Sequence, residues 1–128
     1  MAQSINTKAD LVIDATSFLG MGDYGKIMIG DHGFEFFDNR NVENFIQIPW
    51  EEVDTVIASL VFGGRWIPRF AIKTKRSGTY SFASKKTHEV LREIRKHVDA
   101  DRMVRSLGVW DVIKRGVMSI FKRKANNN

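Results

Sequence analysis

Gly20, Gly22 and Gly25 follow a G-x-G-x-x-G spacing, Lys26 comes next, and Lys73 closes the run Phe70-Ala71-Ile72-Lys73. Glycines so spaced let backbone amides approach a phosphate, and a lysine on a later strand can pair with it. The surroundings argue against that chemistry. A dinucleotide site needs a helix after the glycines, so that the helix N-terminus meets the pyrophosphate. Here "KIMIGDHG" follows, which reads as a strand and a tight turn. No His-Arg-Asp or Asp-Phe-Gly tripeptide supplies a base and a magnesium ligand for phosphoryl transfer. Lys26 stands alone beside Asp23, with Asp31 in the next turn, a weak set for selecting phosphate.

The other reactive residue types do not converge either. His88 and His97 are nine residues apart, about 180° around an ideal helix, so they cannot share a metal from one helix. His32 falls in a turn. Adjacent Glu51 and Glu52 would point to opposite faces of a strand, whereas two carboxyls acting on one bond must converge. No G-x-S-x-G elbow is present, and there is no cysteine to ligate a metal or form a disulfide. The expectation is a non-enzymatic chain with no catalytic residue, cofactor or metal.

Binding chemistry is better represented. In "FGGRWIPRF", Arg65, Trp66 and Arg69 follow a glycine pair, and arginine and tryptophan are enriched at interface anchors. Net charge is +5 and unevenly placed: residues 102–128 hold seven basic residues and one acidic residue. At helical spacing, Val109, Trp110, Ile113, Val117, Ile120 and Phe121 form one apolar stripe in that region. Arg115 and Lys122 lie opposite it, Lys114 and Lys124 flank it, and Arg123 adds to the charge. Such a helix suits an anionic membrane surface or a partner's groove, and nucleic acid is the competing anionic partner. The expected partner-binding residues are therefore Arg65, Trp66, Arg69, Trp110, Ile113, Lys114, Arg115, Val117, Phe121, Lys122, Arg123 and Lys124.

The elements that must carry these residues are mostly strands. Apolar-polar alternation and turn residues predict about seven strands before residue 84, with hairpin turns at Gly30–Gly33 and at "RSG". Pro49 marks an edge or a strand end. The period then changes: Ser84 is a candidate N-cap, and Val90, Leu91, Ile94 and Val98 share a helix face. "DADRMVRSLG" reads as a short second helix capped by Asp99 or Asp101, and residues 109–124 as a third. The N-terminus lacks the apolar core of a signal peptide, and no apolar run approaches the ~20 residues of a spanning helix. The fold class is α+β: a small antiparallel barrel or sandwich capped by a helix, with residues 1–99 as the domain and 100–128 as a basic amphipathic extension.

"IQIPWEEVDTV" and "FAIKTKRSGTYSFASKKTHEVLREI" resemble the middle strands, last hairpin and capping helix of pleckstrin-homology (PH) and GRAM-like domains. A wider resemblance rests on "SFLGMGDYGKIMIGDHGFEFFD", "IPWEEVDTVIASLVFGGRWIPRFAIKT" and the "FKRK" tail. These look like the ManO-type bacterial proteins encoded beside mannose-family sugar phosphotransferase systems. That resemblance implies a cytoplasmic accessory protein, peripheral at the inner membrane face, whose partners are the transporter's membrane subunits. The alternative it leaves open is a regulator of the mannose operon that binds DNA through its basic tail.

Overall fold

The computed structural model describes residues 3–18, 22–41, 43–61 and 66–107. Eight strands and one helix follow in the order β1 (Ala9–Ser17), β2 (Asp23–Gly30), β3 (Gly33–Asp38), β4 (Phe45–Pro49), β5 (Val53–Val61), β6 (Trp66–Thr74), β7 (Thr79–Ala83), α1 (Thr87–Ile94) and β8 (Met103–Leu107). They build a single sheet in the order β4-β3-β2-β1-β7-β6-β5-β8. The β1–β7 junction is narrow, with only Thr16 opposite Ala83 and Ser17 opposite Phe82. The sheet therefore bends there into two layers that face each other, an open sandwich rather than a closed barrel.

The inward face follows the period of two. Ile27, Ile29, Phe34, Phe36, Phe70, Ile72 and Phe82 are all buried. Four phenylalanine rings from β3, β6 and β7 form the centre: Phe82 lies 4.9 Å from Phe34, 5.8 Å from Phe36 and 5.5 Å from Phe70 between centroids. α1 closes one end with Val90, Leu91 and Ile94, and Val98 follows just beyond it. Both predicted hairpins are present, and Pro49 ends the edge strand β4, where its missing N–H leaves no ladder bond unmade.

Two expectations change. Residues 103–107 are not helical: after a single 3-10 turn at Ala100–Arg102 they form β8, parallel to β5 with Met103 opposite Val56. The sheet thus runs past residue 99, and among the described residues β8 adds to the seven strands expected before residue 84. Of the Asp residues expected to cap a helix, Asp99 precedes that one turn and Asp101 lies within it, and pairing with the free edge of β5 outweighs a weak local helix preference. Ser84 does not cap α1 at the N-cap position, which Lys86 holds without a side-chain cap. Instead Ser84 Oγ donates to the Asp14 carbonyl and accepts from the Lys86 amide, tying the start of the helix to β1. Among the described residues, no helix is long and apolar enough to cross a membrane.

Candidate functional site

The glycine motif is strand architecture. Gly25 lies within β2, where a Cβ would come 2.1 Å from the Phe37 carbonyl oxygen, so only glycine lets β2 and β3 approach as they do. The Lys26 ammonium is 2.7 Å from Asp14 Oδ1 across the β1–β2 pair, and this contact holds the Asp14 carboxyl below its ordinary range. Lys73 lies on β6, 3.8 Å from Asp54.

Alternation turns Val12, Asp14 and Thr16 of β1, and Tyr24 and Lys26 of β2, away from the core. The β7–α1 connection passes beside this outer face. Between them lies a groove of about 680 Å³, lined by Val12, Tyr24, Lys26, Ser84, Lys85 and Lys86 together with Asp14. Val12 and Tyr24 are exposed at 51% and 70%, large values for an apolar and an aromatic side chain. The groove thus offers an apolar floor edged by three lysines and a single carboxylate already engaged by Lys26.

Arg69 extends this surface. Pairing places Tyr24 opposite Thr16, Thr16 opposite Ala83, and Ala83 opposite Arg69, so one register row crosses β2, β1, β7 and β6. Residues in such a row share a face. Arg69 is exposed, and its guanidinium lies 4.4 Å above the Phe18 ring, a cation–π contact that restrains the side chain while leaving its charge in solvent. Lys26, Lys85 and Lys86 therefore edge one groove, and Arg69 continues the same sheet surface beyond the β1–β7 bend.

Of the residues expected from sequence to bind a partner, Arg69 is the one whose side chain is placed. Trp66 opens β6 opposite Val61, with only its backbone described. Arg65, Trp110, Ile113, Lys114, Arg115, Val117, Phe121, Lys122, Arg123 and Lys124 lie outside the described residues. Sequence reasoning missed Lys85 and Lys86, which stand almost sixty residues from Lys26. The available signal was the pair of lysines directly before the capping helix, on a loop that must pass the first strand.

Other reactive groups stay apart. His32 Nε2 is 3.4 Å from Asp31 in the β2–β3 turn. His97 stacks on Trp50 with ring centroids 4.6 Å apart and planes 5° from parallel, while Trp50 donates from Nε1 to the Gly30 carbonyl. Glu52 pairs with Arg76 at 3.5 Å. Among the described residues, no three histidine or carboxylate groups are placed to hold a metal ion. A smaller cavity of about 210 Å³ lies between β4 and the β6–β7 hairpin, edged by Ile46, Ile48, Thr74 and Tyr80, with no cluster of like charge.

One further assembly was not foreseen. Glu35 points outward from β3, yet it is fully buried, because residues 3–8 lie across it as a strap. Its carboxylate accepts from Ser4 Oγ at 2.5 Å, the Ile5 amide at 3.2 Å, Asn6 Nδ2 at 2.7 Å and Gln47 Nε2 at 2.8 Å. Asn6 Oδ1 accepts from the His32 and Gly33 amides. Farther along, the Thr7 hydroxyl and the Thr7 and Lys8 amides donate to Asp31. The Thr7 hydroxyl is the main reason the Asp31 carboxyl is held down to about 2.

Similarity to solved structures is confined to the fold. The chain superposes on the C-terminal domain of an unknown protein from Leishmania infantum with a TM-score of 0.61 and 13% identity, covering 70% of this chain and 83% of that one. It matches the Spt16D Pob3N heterodimer structure at 0.59 and 14%, over 79% of this chain and 56% of the other. The Slm1-PH domain in complex with phosphoserine matches at 0.51 and 11%, over 70% and 92%. The architecture is thus PH-like. No curated protein matches at a significant level. The model of DUF956, a domain of unknown function, matches residues 1–117, and the chain belongs to that family.

Proposed function

We propose that the protein is a non-enzymatic PH-like module that docks onto an anionic surface through its cationic outer face. The observation that carries this reading is the gathering of Lys26, Lys85 and Lys86 around the groove that exposes Tyr24 and Val12. An apolar floor with a basic rim suits an interface that meets charged headgroups or an acidic protein face, since each basic residue near an anionic surface adds about 1 kcal/mol. The seven basic residues of 102–128 would add to the same attraction.

The resemblance to ManO-type proteins supplies the setting: a cytoplasmic accessory protein that contacts the membrane subunits of a mannose-type phosphotransferase at the inner membrane face and modulates uptake. The test is affinity capture from native membranes with the wild-type chain and with a Lys26→Glu, Lys85→Glu, Lys86→Glu variant. Recovery of the transporter's membrane subunits with wild type, and their loss with the variant, is the expected result. Equal recovery would overturn the role of the face. Selective retention of promoter DNA over random DNA would favour the operon-regulator reading instead, because the basic tail gives nucleic acid an equally plain electrostatic partner.

A further inference from the structure

We propose that residues 3–8 are a latch that regulates the cationic face, and that Ser4 is the modification point that opens it. This inference rests on the docking face proposed above for its consequence, but not for the latch itself.

The strap is unlike a passive terminus in its chemistry. Nearly all of its attachment is polar, and two of its hydroxyls are each committed to a carboxylate: Ser4 to buried Glu35 and Thr7 to Asp31. Its bed is shaped for it. A Cβ on Gly30 would stand 2.2 Å from the Lys8 carbonyl oxygen and 2.5 Å from Asn6 Cγ. Ser4 itself remains exposed, on a segment outside helix and strand that an enzyme can reach.

Such an attachment is sensitive to charge. Transfer of a phosphoryl group from a nucleoside triphosphate to Ser4 forms the Oγ–P bond, breaks the terminal phosphoanhydride, releases the nucleoside diphosphate and passes the hydroxyl proton to solvent. The hydroxyl donor to Glu35 is then gone. A phosphate of nearly two negative charges stands against a carboxylate with no water around it. Relieving that repulsion draws Ser4 away from Glu35 and loosens the strap around it.

Its loosening bears on the docking face through the sheet register. Gln47, Glu35, Met28 and Val12 form one cross-strand row, and Lys26 sits opposite Phe37, two residues from Glu35. Glu35 is thus a diagonal neighbour of Lys26, with Cα atoms about 7–8 Å apart. Closed, the strap hides the Glu35 charge and spends it on its own donors. Open, it leaves a bare carboxylate beside the basic rim, where it opposes an anionic partner.

The test uses the full chain carrying Ser4→Glu, with Ser4→Gln as the neutral control and Ser4→Glu combined with Glu35→Gln as the relief variant. Amide exchange at His32 and Gly33, whose N–H groups donate to Asn6 Oδ1, reports the latch. Ser4→Glu should speed exchange there at least tenfold while leaving β6 and β7 amides protected. The neutral control should move it less, and the relief variant should restore most of the protection. Unchanged exchange in Ser4→Glu, or no recovery on removing the Glu35 charge, would overturn the latch. Binding to vesicles containing phosphatidylglycerol is read in parallel and should weaken at least about threefold in Ser4→Glu relative to Ser4→Gln. If wild type ignores the vesicles altogether, the docking reading fails, and the exchange result still decides the latch.

Discussion

Replacing Asn6 with alanine should be among the most damaging single changes outside the core. The side chain makes four hydrogen bonds: Oδ1 accepts from the His32 amide at 2.7 Å and the Gly33 amide at 2.8 Å, and Nδ2 donates to the Gly33 carbonyl at 3.1 Å and to Glu35 at 2.7 Å. Three neutral bonds at about 1 kcal/mol each and one to a carboxylate at about 2 set an upper limit near 5 kcal/mol. Water can replace part of this at the turn amides, so a loss of about 2–3 kcal/mol is expected. For a chain of this size that is a fall in Tm of roughly 8–12 °C. Calorimetry with a matching urea titration checks the figure, and an unchanged m-value would show that the native sandwich persists. A fall below about 3 °C would mean that the strap contributes little and would refute the reasoning.

Two other perturbations probe separate parts of the account. The Asp31 carboxyl titrates near 2 in the folded chain against an ordinary 3.8, mainly because the Thr7 hydroxyl donates to it. Its stabilisation is therefore complete above about pH 4 and lost as pH falls toward 2. Thr7→Val should flatten that acid limb in a pH series of unfolding curves, and an unaltered limb would remove Thr7 as the cause. Phe82→Ala empties the centre of the phenylalanine cluster and should cost about 3–5 kcal/mol by denaturant unfolding, whereas less than about 1 kcal/mol would contradict the packing described.

The strand layout was legible where local chemistry dictates it. The Gly30–Gly33 and "RSG" turns, the alternating phenylalanines of β3 and the helical face of Val90, Leu91, Ile94 and Val98 each depend on neighbours within a few residues. β8 was not legible, because its strand character comes from the free edge of β5, some forty-five residues upstream. The site divides in the same way. Arg69 could be singled out by type, but the groove could not, since only the fold brings Lys26 and the Lys85–Lys86 pair together. The strap escaped notice because its bonds are side-chain and backbone contacts to residues 23 to 44 positions away, with no apolar period to announce them. One trace was available: a single carboxylate, Glu35, inside the apolar run "GFEFF".

The central claim is that the outer face itself, and not the basic tail alone, holds an anionic surface. Partitioning onto phosphatidylglycerol-containing vesicles tests it most directly, comparing wild type with Lys26→Gln, Lys85→Gln, Lys86→Gln while residues 102–128 stay intact. At about 1 kcal/mol per basic residue, losing three charges should weaken binding by about two orders of magnitude, with little effect on zwitterionic vesicles. Wild-type affinity in the triple variant would contradict the claim.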